Sequence, residues 1–523
     1  MDIFQITIKK HFKISLIFLL LGLGFGFYYS LNLLGYGINS QMLNPQNVRA
    51  VHISLMLYGF IPFMLSFLPF LLLHKDLGVN LKALRYLELY ATFWYVFLVI
   101  MTISLLMGVT RGLAFYDFHY SLNFLLAFSG LFYILALYEY IKNYTKKPLW
   151  ISISIKIVIL APFILLFLMN PMVGQVEATV SGPHGDNTLG MSLVIIPLYY
   201  LVIKLLSINK FQARWHILWI IPGGFYILSI LHRIILGKLT YEQEWFFQWL
   251  TLLYIPLLIR WYIDAKIEKY AKLLLLISIS GFLFVDIEGN ILFIESIRWI
   301  FHRNDLVVAH SHIAMGVGIL FMTLSIYANI IKELQTSLFI KHYLIGMLGM
   351  FLSLTISGFV QAGYISFNIK TLWIIRSLSG IFIISSFYYF ILSKIKFNKL
   401  QVYNFIGLLN DGIGGILLLL TASYFYPLFG LQFSGVYEYV VFGFVSSTGF
   451  LHFLAIRNSF AEQILTFATA IIRFFIGGIF LSLYLSHKLG LEALVIFSFD
   501  FFYASFFFIY LYRPNYLQGE TNA

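Results

Sequence analysis

Stretches of about twenty apolar residues recur along the whole 523-residue chain, and they limit what it can fold into. A helix of about 20 apolar residues crosses the hydrocarbon core of a bilayer. Only 11% of the residues are charged and the mean hydropathy is +0.88, whereas a soluble protein carries roughly a quarter charged residues. The sequence therefore predicts an all-α, polytopic membrane protein in contact with a lipid bilayer. About sixteen spans are predicted, at residues 13–35, 48–73, 86–108, 120–142, 149–170, 187–207, 215–237, 245–264, 271–294, 306–331, 338–360, 371–393, 403–427, 435–456, 460–484 and 489–512.

The net charge of +12 is distributed as membrane topology requires, and not as a nucleic-acid surface, so no nucleic-acid partner is expected. Lysine and arginine cluster in alternate loops, for example at 74–85, 142–147 and 260–272, and the intervening loop 170–186 contains neither. Because positively charged loops stay in the cytoplasm, the N-terminus is predicted to be cytoplasmic. The chain has no cysteine, which excludes disulfides and a covalently attached c-type haem.

Ligand-type residues from distant segments fall at one predicted depth, near the outer membrane surface. They are His52, His184, Asp186, His232, Glu288, His310 and His312. One histidine in a membrane often only bonds a neighbouring helix, but several ionisable groups in one layer indicate function. His310 and His312 lie about 200° apart around a helix, so they cannot bind one metal but can face two cofactors. Imidazole is a common axial ligand of haem, and we interpret this pair as ligands to two adjacent haems.

Five stretches of the sequence resemble the catalytic subunit of the haem–copper oxidase superfamily, and the likeness is closest to C-type cytochrome oxidases and nitric oxide reductases. They are "RAVHISLMLYGFIP" (49–62), "DNTLGMSLVIIPLYY" (186–200), "IEGN" (287–290), "HRNDLVVAHSHIAMGVG" (302–318) and "SGFVQAGY" with "IIRSLSG" (357–380). The resemblance covers about residues 10–395. It implies a twelve-helix catalytic core, residues 1–399, in a prokaryotic cytoplasmic (inner) membrane.

The resemblance also implies roles for individual residues. His52 and His312 correspond to the two axial ligands of a low-spin haem b, and His310 to the proximal ligand of a high-spin haem b. Glu288 matches a family glutamate beside the active site that serves proton delivery. Asp117 roughly matches an acidic residue that binds calcium bridging the haem propionates, with an exposed loop carboxylate as the alternative.

The family holds its second metal with three histidines, and this sequence departs from that pattern. Asp186 stands at the first position, and His232 is all that remains of an adjacent pair. His184 is the candidate for the missing imidazole, with a surface loop residue as the alternative. A mixed set of histidine and carboxylate favours non-haem iron over copper. Tyr226 matches a tyrosine that the C-type oxidases join to a histidine ligand, but with Asp186 at that ligand position the cross-link cannot form.

These substitutions favour nitric oxide over oxygen, because joining two NO molecules needs two electrons and no tyrosine, whereas reducing O₂ needs four electrons. We expect a membrane-bound nitric oxide reductase whose electron donor is a cytochrome c subunit or a quinol. An oxygen reductase or NO dismutase of the same superfamily, a haem electron conduit without the second metal, and a transporter without haem are the alternatives.

Residues 400–523 lie outside the resemblance and are expected to add about four transmembrane helices of unknown role. The segments 412–431 and 475–491 form a weak repeat in which each copy carries a glycine pair. Such pairs usually serve close helix packing. No ligand constellation is predicted in this part of the chain.

Overall fold

The protein is an all-α membrane protein in the computed structural model, which describes residues 2–37, 41–112, 117–142, 144, 185–301, 304–392, 399–428, 433–457 and 461–512. These residues are helical apart from connecting segments and one isolated bridge between Thr110 and Phe118. The long helices are α1 (Ile3–Leu33), α2 (Pro45–Leu77), α3 (Leu81–Leu106), α4 (Tyr120–Ile141), α5 (Gly185–Leu206), α6 (Ile217–Ile235), α7 (Tyr241–Asp264), α8 (Lys269–Leu292), α9 (Asp305–Tyr327), α10 (Ser337–Gln361), α11 (Ile369–Phe390), α12 (residues 399–428), α13 (Val436–Arg457), α14 (Glu462–Leu485) and α15 (Leu491–Phe506, continued by Phe507–Leu511).

Fourteen described helices are long and apolar enough to cross a membrane. The predicted span at 149–170 lies outside the described residues, and α12, which covers the predicted span at 403–427, is helical but is not one of the fourteen. The division into twelve core helices and four additional ones stays a prediction. The chain forms two compact units, Met1–Ile395 (unit 1) and Lys396–Ala523 (unit 2), whereas the sequence analysis placed the boundary at residues 399/400.

The first helix begins at Ile3, and the predicted start at residue 13 was therefore wrong. Charged residues lower the mean hydropathy of residues 3–12, so the apolar run alone does not reveal them as helix. Asp2 caps the helix by accepting a hydrogen bond from the backbone N–H of Gln5 at 2.8 Å. Lys10 pairs with Glu88 of α3 at 2.8 Å, which supports the added turns.

Aromatic packing in unit 1 joins α1, α2 and α9, the helices on which the candidate site is built. Phe12 of α1 packs against Phe60 of α2 with ring centroids 5.3 Å apart, and against Tyr327 of α9 at 5.6 Å. The Tyr327 hydroxyl donates a hydrogen bond to the backbone carbonyl of Met64 at 2.6 Å. Because these side chains are buried, the three helices are held together by both apolar contact and a satisfied polar group.

A buried hydrogen-bond chain joins α5, α8 and α9 in the same unit. Ser278 of α8 donates to the backbone carbonyl of Gly318 at 2.6 Å. The Tyr199 hydroxyl of α5 lies 2.8 Å from the Ser278 oxygen and donates to it, because the serine proton is already used. These two hydrogen bonds hold α5, the helix that carries Asp186, against α8, the helix that carries Glu288.

Unit 2 has its own apolar core, and close glycine contacts join its first two helices. The core residues are Leu400, Tyr403, Ala470, Ala504, Phe507 and Leu511. A Cβ atom on Gly449 of α13 would lie 2.0 Å from the backbone of Gly412 in α12, so Gly449 requires glycine. In the second glycine pair of the weak repeat, a Cβ on Gly477 would make an ordinary 3.6 Å contact with Asp500 of α15, and a Cβ on Gly478 would meet nothing within 4 Å.

Candidate functional site

His52 lies in a groove on α1 that two glycines create. A Cβ atom on Gly26 would stand 2.5 Å from Nδ1 of His52, so any side chain there would displace the imidazole. One turn earlier, the backbone carbonyl of Gly22 accepts a hydrogen bond from His52 Nδ1 at 2.8 Å. The spacing of these glycines is the Gly-x-x-x-Gly pattern of closely packed membrane helices. Since Nδ1 carries the proton, Nε2 is left as the nitrogen available to a metal.

His312 of α9 faces His52 across this part of unit 1. The two ring centroids are 6.3 Å apart and the ring planes differ by 24°. Nδ1 of His312 donates to the backbone carbonyl of Val308 at 2.8 Å, which again leaves Nε2 for a metal. A metal held between two imidazoles lies about 2 Å from each nitrogen, which puts the ring centres about 6 Å apart. The spacing fits a pair of axial ligands on one metal ion.

Both helices depart from α-helical geometry just after these histidines. A π-helical segment, Met56–Phe60, follows His52 in α2, and another, Ala314–Ile319, follows His312 in α9. π-segments inside α-helices are rare and occur often at functional sites, where they change the direction of side chains. The π-segments therefore mark the two helices that carry His52, His310 and His312.

Arg376 lies near the histidine pair, and the sequence analysis did not select it. The side chain is 9% exposed, its guanidinium lies 5.6 Å from the ring centre of Tyr29, and its charge acts on both His52 and His312. A guanidinium pairs well with carboxylates, including the propionates of a haem. The sequence feature that could have identified Arg376 is a single arginine within an apolar stretch of helix, "IIRSLSG".

His310 contacts α8, whereas His312 contacts α2. Nδ1 of His310 lies 3.2 Å from Oε2 of Glu288, and a Cβ on Gly289 would lie 3.4 Å from the same imidazole. A carboxylate on the second nitrogen of a metal-binding histidine orients the ring and makes it a stronger ligand. The structure thus places Glu288 against Nδ1 of His310, where it can orient the ring. This position is separate from the proton-delivery role that is expected from the sequence. Asp286, two residues before Glu288 in α8, is buried, and its charge also acts on His310.

The predicted second-metal ligands fall only partly within the described structure. His184 lies outside the described residues, and so does the side chain of Asp186, although its backbone forms part of the first turn of α5. Gly190 lies four residues after Asp186 and therefore on the same helix face. A Cβ on Gly190 would stand 2.7 Å from the Tyr226 hydroxyl, so α6 places Tyr226 directly against that face.

His232 lines a cleft of about 390 Å³ between α6 and α7. Its Nδ1 is buried without a hydrogen-bond partner, so this nitrogen is available to a metal. Glu242 at the start of α7 lines the same cleft, and the sequence analysis did not identify it. His232 follows Tyr226 by six residues, or about 240° around the helix, so the two side chains leave α6 in different directions.

Asp117 lies in the connection between α3 and α4. Its backbone carbonyl accepts a hydrogen bond from the N–H of Arg111 at 2.8 Å, next to the bridge between Thr110 and Phe118. These two backbone contacts join Thr110 and Arg111 to Asp117 and Phe118. The calcium site proposed for Asp117 stays a prediction.

The comparisons with known proteins give no relative for this chain: no protein-family model matches the sequence, and no curated protein matches it significantly. Across the described residues, no group of three or more His, Asp or Glu side chains is arranged to hold a metal ion. The paired histidines, with Arg376 beside them, are therefore the arrangement from which a function is argued.

Proposed function

We propose that the chain is the catalytic subunit of a membrane-bound haem enzyme, a nitric oxide reductase that converts 2 NO, two electrons and two protons to N₂O and water. The observation that carries this proposal is the His52–His312 pair, whose centroids are 6.3 Å apart. Both rings donate from Nδ1 to backbone carbonyls and so present Nε2, which is the tautomer that a bis-histidine haem requires.

The side chains around this pair suit a haem b in further respects. The positive charge of Arg376 acts at both rings and would pair with a propionate. His310 would hold the second haem, with Glu288 fixing the orientation of its ring through the 3.2 Å contact. When bound, the two haems supply electron transfer and a site for the gas. A cytochrome c subunit or a quinol is proposed as the electron donor.

The choice of nitric oxide depends on the second metal. Asp186, His232 and the candidate His184 provide imidazole and carboxylate ligands, the set typical of non-haem iron. The bare, buried Nδ1 of His232 supports a ligand at that position. Tyr226 lies against Gly190, on the Asp186 face of α5, and the sequence of this helix contains no histidine for a covalent bond to it. This combination favours reduction of NO over reduction of O₂.

Haem content tests the proposal directly. A pyridine haemochrome assay on the purified protein should give about two haem b groups per chain, one for each ligand set. His52→Ala and His312→Ala should each abolish the low-spin signal, whereas His310→Ala should keep it and lose the high-spin signal. His342→Ala is the matched control, because this membrane histidine bonds Ser385 at 2.9 Å and should leave both haems in place. One haem or none in the wild-type protein would refute the proposal.

The rates at which the protein consumes NO and O₂ then distinguish the nitric oxide reductase from the other haem-containing alternatives. Consumption of NO should exceed that of O₂ when both gases are supplied with the same reduced donor. Equal or faster O₂ consumption would identify an oxygen reductase, and O₂ formation from NO would identify a dismutase. Two haems without turnover of either gas would identify an electron conduit.

A further inference from the structure

Unit 2 contains a buried ion cluster that the sequence analysis did not detect. Arg473 of α14 donates from Nη2 to both carboxylate oxygens of Asp411 at 2.6 Å, and from Nη1 to Asp500 of α15 at 2.5 Å. All three side chains are buried. Asp411 lies in the π-helical segment Leu408–Ile413 of α12, the type of segment that follows the candidate haem ligands in unit 1. Ionisable residues at such a depth in a membrane usually mark a functional site.

His452 completes the cluster from α13 and is fully buried. Nδ2 of Asn404 donates to the backbone carbonyl of Leu400 at 3.1 Å, which turns its Oδ1 towards His452. Oδ1 accepts a hydrogen bond from Nδ1 of His452 at 2.8 Å, so this nitrogen carries the ring proton. Nε2 is then bare, has no hydrogen-bond partner and lies 3.7 Å from Oδ2 of Asp411. Two acceptors face each other with no hydrogen between them.

The charges of the cluster do not balance. With His452 neutral, two carboxylates and one guanidinium leave one excess negative charge in the membrane interior. An uncompensated charge at that depth raises the free energy of the folded protein, because the charge has lost its hydration. A single added cation would remove this penalty. We propose that unit 2 binds one exchangeable proton between Nε2 of His452 and Oδ2 of Asp411. The proton adds to Nε2, the imidazolium donates to Asp411, and no other bond changes.

The other groups that contact the cluster are aromatic rings and the neutral amide of Asn410, which donates to Asp411 at 2.9 Å, and they do not provide the missing charge. Arg473 lies 4.4 Å from the ring centre of Tyr503 and 5.6 Å from that of Phe499. Tyr503 stacks on Tyr403 at 4.2 Å and donates to its backbone carbonyl. These two tyrosines are the remaining titratable groups whose charge acts on Arg473, and both are neutral at physiological pH.

A polar track leads from the cluster to one end of unit 2. The Thr466 hydroxyl of α14 accepts a hydrogen bond from Nδ2 of Asn404 at 2.7 Å and donates to the backbone carbonyl of Glu462 at 2.6 Å. Glu462 is a buried carboxyl group whose Oε1 has no hydrogen-bond partner. Eleven residues separate Glu462 from Arg473, or about 16 Å along the helix, which is roughly half the hydrocarbon thickness. Glu462 therefore marks the entry of the proton, at the membrane face where α13 ends with Arg457.

Infrared spectroscopy of the full-length protein in lipid nanodiscs tests the proposed site. With ring-¹⁵N-labelled histidine, difference spectra between about pH 5 and 9 report which imidazoles gain a proton. The wild-type protein should show a titrating imidazolium band that His452→Gln removes, because glutamine preserves the bond to Asn404 but cannot accept the proton at Nε2. Asp411→Asn should move the titration at least tenfold in proton affinity, towards lower pH, since the stabilising anion is gone.

Matched controls and a second variant keep this test decisive. His342→Gln in unit 1 and Glu438→Gln, in the first turn of α13 of unit 2, should leave the band unchanged. If Asp411→Asn fails to fold, Asp411→Asn with Arg473→Gln keeps the net charge of the cluster and should move the titration in the same direction by a smaller amount, because the guanidinium that opposes the imidazolium is removed together with the carboxylate. Glu462→Gln should slow the exchange of the band in D₂O at least tenfold, and an unchanged rate would refute this entry route. A spectrum unaltered by His452→Gln would overturn the site, and loss of the band on adding Na⁺ at constant pH would replace the proton with a metal cation.

Discussion

At the scale of single residues, the candidate haem ligands differ in the group that holds Nδ1. His52 and His312 use backbone carbonyls, whereas His310 uses the carboxylate of Glu288. A carboxylate partner makes a histidine a stronger electron donor than a carbonyl does. We therefore infer that His310 serves a metal whose chemistry benefits from a basic ligand, and that the other two histidines serve a metal that only transfers electrons.

Replacing Glu288 should weaken the metal site at His310 selectively. Glu288→Ala should lower the affinity of the high-spin haem about 10- to 100-fold, the usual effect of removing the partner of a metal-bound histidine. Glu288→Gln should have a smaller effect, because an amide oxygen still accepts the hydrogen bond. Titration of haem into the apoprotein measures the change. Glu295→Ala, at an exposed position just after α8, serves as the control, and an equal loss in both variants would contradict this role of Glu288.

Asp186 can be either an iron ligand or a charge that stabilises the start of α5. A carboxylate in the first turn of a helix contributes about 0.3–1 kcal/mol through the helix dipole. If it is a ligand, Asp186→Asn should lose the non-haem iron and NO reduction while both haems remain. Iron per chain, corrected for haem iron, is the measurement. Full retention of non-haem iron by the asparagine variant would limit Asp186 to stabilising the helix.

At the scale of helices, the geometry of the site depends on two glycines of α1. Gly22 and Gly26 let α1 approach α2 so closely that a main-chain carbonyl reaches His52. The π-segments after His52 and His312 then change the direction of each helix where the two rings meet. The glycines and the π-segments together fix a ring spacing that ordinary helix packing, with axes about 8–10 Å apart, does not specify.

Gly26→Ala should disrupt the low-spin haem, and Gly24→Ala should not. The added methyl group at Gly26 would lie 2.5 Å from Nδ1 of His52, whereas at Gly24 it would meet nothing within 4 Å. Overpacking of this kind costs about 1–3 kcal/mol, or the ring moves and the haem is lost. The absorption spectrum and the haem content of the two variants test the expectation. Identical low-spin spectra would show that the glycine groove does not position the ligand.

The sequence predicts some of these features and not others, for physical reasons. Hydropathy reveals the membrane helices, because each span needs its own apolar surface, but it misses residues 3–12, whose Lys10 is stabilised by Glu88 of α3. The spacing of His310 and His312 predicts that they face different neighbours, which is a local property of one helix. The groove at Gly26 depends on a second helix, and the local Gly-x-x-x-Gly pattern of α1 does not say which helix packs against it.

The cluster in unit 2 shows the same limit more strongly. Asp411, His452, Arg473 and Asp500 come from four different helices, and each is a single polar residue within an apolar run. The expectation that residues 400–523 contain no ligand constellation stays a prediction, because the ion cluster is a different kind of site that the sequence analysis did not anticipate. Contacts between helices decide such a site, and one sequence does not contain that information.

At the scale of the whole molecule, the chain divides into two units with different buried chemistry. Every candidate haem and metal ligand lies in Met1–Ile395, and the Arg473 cluster lies in Lys396–Ala523. Each unit has an apolar core of its own within the described residues. We infer that haem binding and proton binding are built on separate scaffolds.

Removing unit 2 should leave the haems in place. A chain that ends at residue 395 retains all the proposed axial ligands and should bind about two haems, with an unaltered low-spin spectrum. It should lack the histidine band assigned to His452. Haem quantification and infrared spectroscopy of the truncated and full-length proteins provide the comparison. Loss of either haem on truncation would show that the units depend on each other.

The carbonyl groups of Gly22 and Val308 have a consequence for evolution. A substitution at Gly22 or Val308 changes the side chain but keeps the main-chain carbonyl that accepts the hydrogen bond. Most substitutions at these two positions therefore leave the tautomers of His52 and His312 unchanged. The partner of His310 has no such protection, since one substitution at Glu288 removes its carboxylate. Natural variation among descendants of this chain should therefore accumulate around His310 more than around the proposed pair of axial ligands, His52 and His312.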